Sequence, residues 1–110
     1  METRIYTNKQ AQQPLTVWLD TLKDLRAKAQ IQARMVRVAA GNFGDCKPLR
    51  DGVRELRIDY GPGYRVYYFQ LDKELVILVC GGDKRTQDAD IAYAKRLKEE
   101  IERDGRNKAI

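Results

Sequence analysis

Histidine is absent from the 110 residues. That excludes imidazole acid–base pairs and any Ser–His or Cys–His nucleophile, and it removes the commonest zinc ligand. Cysteine is nearly absent too, with only Cys46 and Cys80 and no CxxC spacing. A disulfide scaffold and a metal site are therefore not expected. No apolar run approaches the ~20 residues that span a bilayer, so no membrane partner is expected. The N-terminus METRIYTNKQ lacks the apolar core of a signal peptide, which points to a cytoplasmic location. The phosphate-loop spacing G-x4-GK-[ST] is missing, and Asp88 and Asp90 are too sparse for a two-metal nuclease. No cofactor is implied. Acidic residues are also lacking from Leu25 to Gly44, where Arg26, Lys28, Arg34 and Arg37 stand without a carboxylate.

What is present suits one domain over residues 1–110 with one modest core. A net charge of +5 points towards a polyanionic partner. Residues 3–7 read as a first strand. Pro14 opens a helix, since its missing N–H costs nothing in a first turn, and Leu15, Trp18, Leu22 and Leu25 recur at helical spacing as one apolar stripe. Trp18 reads as a core anchor in preference to a platform for a nucleobase. A second helix is expected from about Asp24 to Ala40, with Ile31, Met35 and Val38 inward and Gly41-Asn42 as its stop. Its cations fall largely on the outer side, either as a solvated face or as an RNA-backbone or partner surface. FGDCKPLRDG reads as a loop.

VRELRIDYGPGYRVYYFQ has the alternation of a β-hairpin. With Gly61-Pro62-Gly63 as a three-residue turn, Asp59 opposes Arg65, Arg57 opposes Tyr67 and Glu55 opposes Phe69. Leu56, Ile58, Val66 and Tyr68 then share one face, and Glu55, Arg57, Asp59, Arg65 and Tyr67 share the other. LVILVC (75–80) is apolar on both faces and suits a central strand. Two glycines are expected to end it and release Lys84 and Arg85. A helix follows, capped by Thr86 or Asp88, with Ile91, Ala94, Leu97 and Ile101 as its inner stripe; it is placed either to cover part of the polar sheet face or to serve as an oligomer contact. The tail GRNKAI is expected to fray.

Converging arginines and a lysine suit phosphate chemistry, because guanidinium binds phosphate bidentately and stays charged. RNA supplies its own nucleophile, the 2′-hydroxyl. A site that aligns it and stabilises the phosphorane charge can cut RNA without metal. The general base can be Glu55, or a lysine or tyrosine of lowered pKa.

The stretches GNFGD, ELRIDYGPGYRVYY and CGGDKRTQDADI resemble the signature of small toxins of the RelE/ParE superfamily, and most of all its phage-derived, HigB-like addiction-module killers. The likeness runs from about Trp18 to Leu97. It implies an α+β fold in which an N-terminal helical hairpin packs on a small twisted, mostly antiparallel sheet, with a C-terminal helix. It implies a cognate antitoxin from the same operon, of helix-turn-helix type, through which alone operator DNA would be bound. It also implies ribosome-dependent mRNA cleavage by 2′-hydroxyl attack. Carried over by motif, Arg65 is the phosphate-contacting arginine and Arg85 the arginine after the central strand, with Arg57 and Lys84 assisting. Glu55 stands where the family has a strand lysine, as in HigB-like variants, and is the candidate base. The late tyrosine of RelE falls near Ile91 and is missing; Tyr93, two positions on, points elsewhere. Arg26, Lys28, Arg34, Arg37 and Tyr67 are the candidate RNA contacts. The alternative is a ParE-like DNA gyrase inhibitor without nuclease chemistry; a third reading is a degenerate toxin that binds only its antitoxin and operator.

Overall fold

In the computed structural model, residues 2–71, 73 and 75–104 are described; the tail expected to fray lies outside them. Strand β1 (Glu2–Ile5) precedes the helical hairpin α1 (Pro14–Thr21) and α2 (Leu25–Ala39). Strands β2 (Cys46–Pro48), β3 (Arg54–Ile58), β4 (Tyr64–Gln70) and β5 (Leu75–Asp83) follow. A 3₁₀ turn (Lys84–Thr86) leads into α3 (Gln87–Arg103). The sheet order is β1-β5-β4-β3-β2, with β1 parallel to β5 and the other pairs antiparallel. This is the expected α+β architecture with one parallel edge added. Among the described residues no helix is long and apolar enough to cross a membrane.

The sheet is covered on both sides. Leu15 and Leu19 of α1 and Ala27, Ile31 and Val38 of α2 pack on Leu56, Ile58, Val66, Tyr68, Val76 and Leu78. On the other side Ala94, Leu97 and Ile101 of α3 pack on Tyr67, Phe69, Ile77, Val79 and Cys80. β4 and β5 are apolar on both faces because both layers meet them. Asp24 caps α2, its carboxylate accepting from the N–H groups of Arg26 and Ala27. Leu25 is 77% exposed and does not continue the α1 stripe, because α1 stops at Thr21 and the chain turns before α2.

Three local expectations are corrected. Within FGDCKPLRDG, Cys46–Pro48 pair with β3 as an edge strand. In the hairpin, Arg57 opposes Arg65, Ile58 opposes Tyr64 and Glu55 opposes Tyr67. Asp59 therefore lies outside the ladder, and the turn is five residues, closed by Gly63 N–H on the Tyr60 carbonyl at 3.1 Å. Both registers keep the same residues on each face. Finally, β5 runs through both glycines, with Val66 opposite Gly81 and Arg65 opposite Gly82. A side-chain carbon on Gly81 would meet the Trp18 ring, and one on Gly82 the Asp90 carboxylate. The glycines thus admit neighbours from the two helical layers. Trp18 is the expected core anchor, half-buried against this strand and 6.1 Å from the Tyr64 ring.

The strand also changes phase. Tyr67 pairs with Cys80 but Tyr68 with Leu78, so Val79 is an extra residue in β5. Val79 and Cys80 consequently both face α3, and the bulge re-aims the strand end.

Candidate functional site

β3 and β4 place Arg57 and Arg65 directly opposite one another, with Gly82 of β5 next in the row. Two like charges across adjacent strands oppose folding unless each has a counter-ion. Each has one. The Arg57 guanidinium donates to Asp45 Oδ1 from Nε at 3.1 Å and from Nη2 at 2.7 Å, and this partner holds the Arg57 pKa above its ordinary value. Behind Arg65 lies Glu55, with Arg65 Nε 3.8 Å from Glu55 Oε2. Glu55 is 1% exposed, and Gln87 at the start of α3 donates to the same oxygen at 3.1 Å. Arg65 Nε and the Tyr67 hydroxyl are buried without a hydrogen bond among the described residues.

Arg57, Arg65 and Lys84 line one open cavity of about 390 Å³, together with Asp45, Asp59 and the Gly61–Gly63 turn. Lys84 and Asp59 form no ion pair among the described residues. Gly63 is favoured in the turn by its φ of 81°; a side-chain carbon there would lie at ordinary contact distance, 3.6 Å from Lys84 Cβ and 4.0 Å from Arg65 Nη1. The arrangement offers three cations to a multiply charged oxygen group, with Asp59 as the carboxylate not engaged by an arginine.

Several candidates take other places. Arg85 does not enter this cavity. It is 79% exposed, chelates Asp83 through Nε and Nη2 at 3.3 and 2.8 Å, and borders the neighbouring hollow formed by residues 84–89. Glu55 is too deeply covered to reach a substrate hydroxyl, so the geometry gives it the holding of Arg65 and Gln87 instead of the base. Tyr67 is fully buried beneath α3 and cannot stack on a nucleobase; burial pushes its pKa up. Arg34 is no outer cation: its guanidinium donates to the carbonyls of Arg57 (2.6 Å), Phe43 (2.9 Å) and Asp45 (3.0 Å). Lys28 pairs with Asp20 at 3.1 Å. Arg26 and Arg37 remain exposed, and Arg37 borders a hollow that shares Ile58 and Asp59 with the main cavity. Thr86 holds the capping position of α3 but turns its hydroxyl to the Asp90 carboxylate at 2.5 Å, while Asp83 caps the preceding turn.

Two contributors escaped the sequence reading. Asp45 sits in the GNFGD motif, and Gln87 in CGGDKRTQDADI, but nothing in their local pattern shows that they meet Arg57 and Glu55. Those contacts come from distant segments of the chain.

A helical hairpin on a mixed sheet, with arginines paired across two strand ends, defines a small α+β protein with a cationic site. The family model for phage-derived, Gp49-like proteins matches residues 17–103. A protein of Haemophilus influenzae (strain ATCC 51907 / DSM 11121 / KW20 / Rd), called only an uncharacterized protein, is 60% identical over 84 residues, covering 76% of this chain and 85% of its own length. The chain belongs to the Gp49-like family of phage-derived proteins, a toxin-like family of the RelE kind. Such a family implies an antitoxin partner.

Proposed function

We propose that the chain is the toxin of a type II toxin–antitoxin pair, HigB-like in action, and cuts mRNA on the ribosome. The observation that carries this reading is the meeting of Arg57, Arg65 and Lys84 on one open cavity. In the proposed reaction the RNA 2′-oxygen attacks the adjacent phosphorus. Its proton passes to Asp59, the carboxylate at the cavity not held by an arginine. Arg65 and Arg57 take the charge of the phosphorane. The bond to the 5′-oxygen breaks, Lys84 supplies that oxygen with a proton, and the products are a 2′,3′-cyclic phosphate and a 5′-hydroxyl. Glu55 acts through Arg65 as a positioning residue. Arg85, outside the cavity, guides the RNA backbone towards it together with Arg26 and Arg37. An acidic stretch of the antitoxin is the natural cover for such a basin.

The test is induced expression without the antitoxin, followed by mapping of message ends in vivo and in a purified translation system. Wild type is expected to arrest growth and leave cyclic-phosphate ends. Arg65→Ala is expected to lose about 100-fold or more of the cleavage rate, the scale of one lost charge-stabilising donor. Arg85→Ala is expected to lose less than about 10-fold, the discount for a solvent-screened contact. Intact messages with a DNA-damage response would instead favour the ParE-like gyrase inhibitor. Equal losses for the two arginine variants would remove the cavity from the centre of the mechanism.

A further inference from the structure

A second hollow, of about 540 Å³, lies between the β2 end and the first turns of α3. Half-buried Leu49 and Ile91, with exposed Ala92, give it an aliphatic lining, and exposed Lys47 and Arg50 line it too. Lys95 also lines it but is engaged by Asp51 at 2.9 Å. Lys47 and Arg50 have no ion pair among the described residues.

We propose that this hollow anchors the antitoxin, and the proposal rests on the toxin reading above. An acidic segment of the partner seats one aliphatic side chain on Leu49, Ile91 and Ala92 and sets carboxylates against Lys47 and Arg50. Charge and apolar surface together select this occupant. Single-stranded RNA is the less suited one: it is held by aromatic rings on which its bases stack, and among the described residues no aromatic one lines the hollow. The place has a further advantage for an inhibitor. Asp88 is shared with the hollow of residues 84–89, and that hollow shares Lys84 with the arginine cavity. The three hollows are therefore neighbours, and a second contact of a segment anchored here, made at the arginine cavity, forms at high effective concentration.

The experiment uses the full chain and the neighbouring operon product whose co-expression restores growth. Arg50→Glu, Ala92→Glu and the conservative Arg50→Lys are compared with wild type, with circular dichroism confirming the fold. Both glutamate variants are expected to arrest growth as wild type does, to bind the purified partner at least about 30-fold more weakly, a loss of about 2 kcal/mol, and to escape rescue. Arg50→Lys is expected to stay rescued. Wild-type affinity in both glutamate variants overturns the proposal, as does the absence of any operon product that binds the wild-type chain. Loss of message cleavage with partner affinity unchanged also overturns it, and assigns the hollow to RNA. Binding of the purified pair is read without any RNA. A wild type that binds its partner but leaves messages intact therefore sinks the nuclease reading while leaving the anchor standing or falling on its own affinities.

Discussion

The Asp90 carboxylate occupies the space that a side chain on Gly82 would need, and burial raises its pKa. Gly82→Ala is therefore expected to destabilise the fold by about 1–3 kcal/mol, the usual cost of forcing atoms into filled space. Asp90→Ala in the same chain should recover part of that loss. A double-mutant cycle by urea denaturation checks this: additive effects would mean that the two positions do not compete for one volume. The glycine pair shows how far single residues were legible. Glycine after an apolar run reads as a strand end, yet it equally marks close approach of another group. Only the packing of Trp18 and Asp90 chooses between these readings. Glu55 teaches the same lesson. Alternation assigned it correctly to the face of Arg65, but not to the part of that face beneath α3.

At the scale of elements, α2 does more than cover the sheet. Through Arg34 it ties the chain before β2 to the end of β3, and so holds Asp45 where Arg57 needs it. Arg34→Ala is expected to cost about 2 kcal/mol or more in stability, because charge-assisted bonds to carbonyls are lost and acceptors are left unpaired. Message cleavage should fall with it. Arg34→Lys should not restore either, since one ammonium cannot reproduce a planar fork. Thermal melting alongside end-mapping checks both, and a fully active lysine variant would show the clamp to be dispensable. The helices themselves were legible from periodicity, from the Pro14 start signal and from the Gly41-Asn42 stop. The hairpin register was not. Moving the pairing by two positions keeps every residue on its own face, so burial cannot distinguish the two registers. The turn decides, with Gly61 and Gly63 both at positive φ inside a five-residue loop.

For the whole molecule, covering the sheet on both sides fixes how stability responds to pH. Burial pushes the Cys80 thiol up to about 12 and raises Tyr67 as well. A group whose pKa is raised by folding contributes stability that is complete below its unfolded value, about 8.5 for cysteine and about 10 for tyrosine. That contribution is lost as pH rises through the raised value. On the acid side, Asp24 is lowered by the N–H of Ala27 and Asp83 by the Arg85 side chain. Their contribution is present above the ordinary carboxylate range and disappears as pH falls through the lowered values. Urea midpoints are thus expected to fall above about pH 9 and again below about pH 4. A midpoint that rises between pH 9 and 11 would contradict the burial of Cys80 and Tyr67. A thiol reagent at pH 8 should label half-buried Cys46 in the native protein and Cys80 only after unfolding.

The sequence by itself determined the alternating and helical apolar patterns. These selected two helical layers, a central strand apolar on both faces, and a polar face rich in arginine. Such patterns are local, and hydrophobic burial enforces them segment by segment. The tertiary structure alone decided which charges meet. It drew Asp45 to Arg57, sank Glu55 beneath Arg65 and Gln87, set Lys84 in the basin, and left Arg85 outside it. Those outcomes depend on the five-residue turn, the extra residue in β5 and the seating of α3, which act between segments far apart in the chain.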